Sequence, residues 1–176
     1  MNGDLSFLAT LPLKADIEGK LLAVHGALHP EIGCEIVRLD NDESRALSFE
    51  ALVAHPSGAR ICAYGHTHEI AIHEYRNDRI VLRGEDDVSL RDDAYYLINP
   101  ARVGALRGTD SRATYMIVDL ARRTARVRHV AYDTSLPFAA TRKAGLAPRF
   151  RFVPTPLRGA IKSGLRAVRL GHTVHG

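Results

Sequence analysis

The sequence predicts an α/β fold, and three observations carry that prediction. Residues 21–65 read as strand, loop, helix and strand, a path that places two parallel strands side by side with the helix on one face. Residues 70–82 and 114–132 each read as two strands joined by a tight turn. The chain has 176 residues, 45% of them hydrophobic and 25% charged, which suffices for one domain with a buried core.

In order along the chain, Leu5, Leu8 and Leu11 fall at helical spacing, and Pro12 ends the pattern. Residues 14–20 read as a polar connection. The run Leu21-Leu22-Ala23-Val24 reads as a buried strand and ends in His25-Gly26. Residues 27–47 are mostly polar and read as a surface loop or lid. A short helix is predicted over 48–55, with Ser48 as N-cap and Phe49, Leu52 and Val53 on one face, broken by Pro56-Ser57-Gly58. The next apolar run, Ile61-Cys62-Ala63-Tyr64, leads into Gly65-His66-Thr67-His68. A hairpin follows, turning at Asn77-Asp78. Residues 84–93 are acidic and read as a loop, 94–98 as a strand closed by Asn99-Pro100, and 102–112 as a basic loop. The second hairpin pairs 114–120 with 125–132. Helices are predicted over 135–144, ending at Gly145, and over 157–170.

Composition narrows the function. Two cysteines, Cys34 and Cys62, make no disulfide framework, and Cys62 lies within an apolar run as a core residue would. With no secretory signal and no run long enough to span a bilayer, the chain reads as a cytoplasmic protein without membrane attachment. Charge is uneven. Residues 1–133 hold 16 Lys/Arg and 20 Asp/Glu, whereas residues 134–176 hold 8 Lys/Arg and no acid. The basic end suggests an anionic partner such as nucleic acid, but it has no base-reading motif and is spread thinly enough to be a solvated helix face.

The chemistry gathers at the ends of two predicted strands. On an extended backbone His66 and His68 would share a face, Gly65 permits a sharp turn and close approach, and imidazoles are common ligands for divalent transition metals. If strands 21–24 and 61–64 are parallel neighbours, His25 arrives at the same sheet edge, where functional groups of such folds collect.

These residues carry a resemblance. Val24-His25-Gly26, Tyr64-Gly65-His66-Thr67-His68 and Leu97-Ile98-Asn99-Pro100, in this order and spacing, resemble the C-terminal part of a calcineurin-like metallophosphoesterase. The run 111–119 resembles the strand that follows in the phosphodiesterase-like bacterial branch. The resemblance covers residues 5–145. It implies the C-terminal portion of a two-layer-sheet sandwich flanked by helices, over residues 1–145, with 146–176 a basic tail or helix. It implies two divalent ions (manganese, iron, zinc or similar), with His25 and His66 sharing one and His68 holding its neighbour. By the same likeness Gly26, Gly65 and Thr67 shape the site and Asn99 lies beside it. Where the family carries Gly-Ser after Asn-Pro, this sequence has Ala101 and Arg102, which offers Arg102 as a contact to an anionic substrate.

The sequence also departs from the family. The Asp-x-His, Gly-Asp and Asn-His elements that supply the bridging carboxylate and the catalytic histidine have no counterpart before His25. The resemblance therefore implies an N-terminally truncated chain with no catalytic residue of its own. Three readings follow. The first is metal-dependent hydrolysis of phosphate mono- or diesters, with full activity lacking in this chain. The second is a non-catalytic remnant serving as a binding module, with a polyanion as one partner. The third is a chain that cannot fold well alone, its exposed sheet edge and apolar face inviting association or aggregation. A mononuclear three-histidine zinc site is also chemically available. Among the other histidines, His29 is a weaker cleft candidate, His55 reads as a helix-end residue, and His73 and His129 fall on strands.

Overall fold

A computed structural model describes residues 6–31, 38–84, 86–104 and 112–145. The chain divides into two compact units, 1–105 with 113–130, and 106–112 with 131–176. Every described strand belongs to the first. The second contributes one described helix, α3 (Ser135–Lys143), followed by Gly145 in the left-handed region at φ 70°, as the sequence predicts. Cys34 and the helix expected over 157–170 lie outside the described residues, as does the basic tail from 146 onward.

The first unit opens with a short helix, α1 (Ser6–Ala9), and a strand, β1 (Lys14–Ile17). The polar connection expected over 14–20 is thus an edge strand. Lys14 and Asp16 alternate with Ala15 and Ile17, and Glu18-Gly19 turn the chain at positive φ, with the Gly19 N–H donating to Asp16 Oδ1 at 2.8 Å. An exposed edge strand carries no apolar signature, so its sequence looks like a loop. It pairs antiparallel with β2 (Leu21–Val24).

Helix α2 (Asp42–Val53) is longer than the sequence predicts. Its N-cap is Asn41, whose side chain accepts from the Ser44 N–H at 2.8 Å, and Asp42 and Glu43 in the first turn suit the positive end of the helix dipole. Ser48 is a fully buried helix-interior residue rather than the cap, and Val53 faces outward at 47% exposure while Phe49 and Leu52 are buried. The helix leads into β3 (Ile61–Ala63), which lies parallel to β2, completing the expected strand–helix–strand unit.

Strands β4 (Ile70–Arg76) and β5 (Arg79–Leu82) form the predicted hairpin, with Asn77 and Asp78 at φ 50° and 58°. A two-residue strand, β6 (Val88–Ser89), lies within the predicted acidic loop. Strand β7 (Tyr95–Pro100) runs parallel to β3 and antiparallel to β4. Strands β8 (Ala113–Asp119) and β9 (Thr124–Val130) make the second hairpin.

The strands form a mixed six-stranded sheet, β1-β2-β3-β7-β4-β5, and a three-stranded sheet, β6-β9-β8. Alternation along the central strands builds two cores. Leu22, Cys62 and Leu97 pack with Phe49 and Leu52 beneath α2, while their neighbours Leu21, Ile61, Tyr96 and Ile98 pack with Ala125 between the sheets. The central strands are apolar on both faces because both faces are covered. Cys62 is a core residue, as its sequence surroundings predict. No described helix is long and apolar enough to cross a membrane.

Candidate metal centre

Strands β2, β3 and β7 are parallel, so their carboxyl ends lie along one edge of the sheet. His25 follows β2, the Gly65–His68 turn follows β3, and Asn99 to Arg102 close β7. Residues forty to seventy positions apart meet because the topology places those three ends side by side.

His25 and His66 come together. Their rings pack edge to face with centroids 5.3 Å apart. The Gly65 N–H donates to the His25 carbonyl at 2.9 Å, tying the turn to the end of β2. A Cβ at position 65 would meet that carbonyl at 3.3 Å, so glycine permits the approach.

The turn is not the extended segment that alternate-residue spacing suggests. His66 has φ 65° and His68 φ 64°, both in the left-handed region. The Thr67 N–H donates to the Gly65 carbonyl at 2.7 Å, which closes a γ-turn centred on His66 in its rare and strained hand. Strain of this kind collects at functional sites when the surroundings hold it in place. Here Asn99, with no exposed surface, donates from Nδ2 to the Gly65 carbonyl (3.2 Å) and to Thr67 Oγ1 (2.8 Å), and accepts at Oδ1 from the Ala101 N–H (2.8 Å). Arg102 Nη1 donates to the His68 carbonyl at 3.4 Å. Asn99 and Arg102 therefore lie against the histidine turn.

Beside the turn a cavity of about 650 Å³ opens between α2 and the β4–β5 hairpin, lined in part by Arg45, Tyr64, Thr67, Glu69 and His73. Burial pushes the Tyr64 hydroxyl up to about 12, with Arg45 and Asn99 pulling the other way, so the phenol stays protonated at neutral pH. Burial, reinforced by Arg45, holds His73 below the ordinary histidine value. Sequence reasoning placed His73 only on a strand. Its contribution to the cavity depends on the packing of α2 over β4, which no local pattern reveals. His29 accepts at Nδ1 from the Glu31 N–H (3.1 Å), and His55 contacts Ser57 Oγ (2.8 Å) at the end of α2, as a helix-end residue would.

The residues present fit one shared ion in part. Two imidazoles that each hold an ion at about 2.1 Å have ring centres about 5 Å apart; the His25–His66 separation of 5.3 Å allows that arrangement and is also the ordinary spacing of edge-to-face rings. They do not fit a two-ion centre. Two dications about 4 Å apart repel by on the order of 16 kcal/mol at an effective dielectric of 20, and a bridging carboxylate must offset that. Among the described residues no three His, Cys, Asp or Glu side chains converge on one ion.

No protein-family model matches the sequence, and no curated protein matches it either. Solved structures do match. A metallophosphoesterase from Sphaerobacter thermophilus superposes with a TM-score of 0.62 at 28% identity, over 85% of this chain and 58% of that one. A hypothetical protein from Pyrococcus horikoshii superposes with a TM-score of 0.53 at 16% identity, over 82% of this chain and 50% of that one, a likeness of fold alone. The chain thus spans little more than half the length of these structures and has a metallophosphoesterase-like fold.

Proposed function

We propose that this chain carries the histidine-bearing part of a metal-dependent phosphoesterase centre that acts on phosphate mono- or diesters. The observation that supports this most is the His25–His66 ring pair at the carboxyl ends of parallel strands in a metallophosphoesterase-like fold. In this reading His25 and His66 hold one divalent ion. His68 is assigned the second ion of a complete centre, and among the described residues no group of three potential ligands forms to hold it. The metal supplies Lewis-acid chemistry at a phosphoryl oxygen.

The chain's own groups do the rest. Gly65 brings the turn against the His25 backbone, and Asn99 and Thr67 fix it. Arg102, tethered to the His68 carbonyl, offers a cation to a phosphate oxygen. Tyr64, protonated at neutral pH, is a donor and not a base. The neighbouring cavity suits the organic part of a substrate better than its phosphate, because three carboxylates, Asp40, Asp42 and Glu69, line it against the one guanidinium of Arg45.

One observation favours a second reading, a metal-binding module without turnover: no third ligand joins the histidine pair among the described residues. Hydrolysis of bis(p-nitrophenyl) phosphate and p-nitrophenyl phosphate with added manganese separates the two. The enzyme reading predicts slow, manganese-dependent turnover that falls at least 100-fold in His66→Ala. Turnover unchanged in that variant contradicts the site. Metal binding with no turnover at any manganese concentration selects the binding module.

A further inference from the structure

The geometry points to Asn99 as the positioning residue of the histidine turn, the group that holds His66 in its left-handed conformation and thereby aims its ring at His25. The backbone part of this inference stands on hydrogen bonds alone; the part concerning an ion rests on the function proposed above.

A γ-turn of this hand does not persist through local preference, since a non-glycine residue at positive φ is disfavoured by contact between its Cβ and its own backbone. Something outside the turn has to hold it. Asn99 grips the atoms on either side of His66, the Gly65 carbonyl and the Thr67 hydroxyl, at 3.2 and 2.8 Å. Rotating His66 to negative φ would carry one of those atoms away from the amide. The Thr67 hydroxyl lies where water cannot readily replace the lost partner, because Asn99 is 0% and Thr67 7% exposed.

The same side chain uses its oxygen on Ala101, which sits at φ 73° on the other side of the site. One amide thus fastens the loops after β3 and β7 to each other. An amide is required for this. A carboxylate of the same shape keeps the acceptor for Ala101 but has no N–H for Gly65 or Thr67, and sets a negative charge against the Gly65 carbonyl. Thr67 is the intermediary: it stands between the two histidines in the sequence, and its hydroxyl is the group that Asn99 holds.

The test uses the full chain labelled for NMR, with Asn99→Asp, Thr67→Val and Thr67→Ser. Backbone chemical shifts and coupling constants report φ at residue 66, and titration with Co²⁺ reports the histidine pair through its visible spectrum. The inference predicts positive φ at His66 in wild type and Thr67→Ser, which keeps the hydroxyl. It predicts loss of that signature in Asn99→Asp and Thr67→Val, with Co²⁺ affinity at least tenfold weaker and the amide shifts of Leu97 and Ile98 in place. Positive φ retained at His66 in Asn99→Asp overturns it. If Asn99→Asp does not fold, Thr67→Val against Thr67→Ser decides, and equal φ in the two overturns the inference. Absence of any Co²⁺ spectrum in wild type removes the metal reading and leaves the φ comparison to decide the positioning role.

Discussion

His66 shows what a single residue costs and what it is kept for. Its φ of 65° spends stability on a conformation that glycine would adopt freely. Glycine would adopt this φ without penalty, and the function proposed above accounts for an imidazole in its place. This gives a comparison in which the ring is absent from both variants. His66→Gly is expected to be more stable than His66→Ala by about 1–2 kcal/mol, because only alanine keeps the left-handed penalty. Equal denaturation midpoints in urea would show that position 66 bears no backbone strain. The sequence shows the histidines and the glycine before them. The strain was not legible, since alternate spacing describes an extended segment, and the γ-turn is imposed by Asn99 from another strand.

At the scale of elements, α2 packs across the β4 side of the sheet and sets the environment of His73. The imidazole is buried, with Arg45 of α2 opposing its protonation and Asp42 favouring it less strongly. Its folded pKa therefore lies below the unfolded value of about 6.5. The unfolded chain binds the proton first as pH falls, so the stability that neutral His73 protects is fully present above about 6.5 and is lost as pH drops below it. Relative to His73→Leu, wild type is expected to hold constant stability from pH 7 to 8 and to lose stability toward pH 5, measured by urea unfolding at each pH. A stability relative to the variant that stays flat down to pH 5, or rises toward acid, would contradict this placement. Element boundaries were less legible than element types. Helix α2 starts at the Asn41 cap, well before the expected cap at Ser48, because polar first turns look like loops.

Across the whole molecule, the central strands were the most legible part. Leu21 to Val24, Ile61 to Ala63 and Tyr95 to Ile98 are apolar on both faces because α2 covers one and the second sheet the other. The edge strand β1 was not, because exposure removes the apolar pattern. Between the layers, Tyr96 links elements that sequence cannot join. Its hydroxyl donates to Glu74 Oε2 at 3.0 Å and accepts from the Arg91 N–H at 2.8 Å, with Glu74 only 7% exposed. Tyr96→Phe takes the acceptor from the Arg91 N–H and leaves Glu74 Oε2 with the Arg83 guanidinium at 3.6 Å, and is expected to destabilise the sandwich by about 1–3 kcal/mol in urea unfolding; a change within about 0.3 kcal/mol would show the link to be idle. The three parallel strand ends that this packing fixes are what bring His25 to His66, and the claim that this pair holds a divalent ion is tested most directly by anomalous diffraction from crystals of the chain grown with Mn²⁺ or Zn²⁺. The expected result is an anomalous peak within ligand distance of a ring nitrogen of both His25 and His66, absent in His66→Ala. A structure with metal in the crystal and no peak between these rings, or an unchanged peak in the variant, would contradict it.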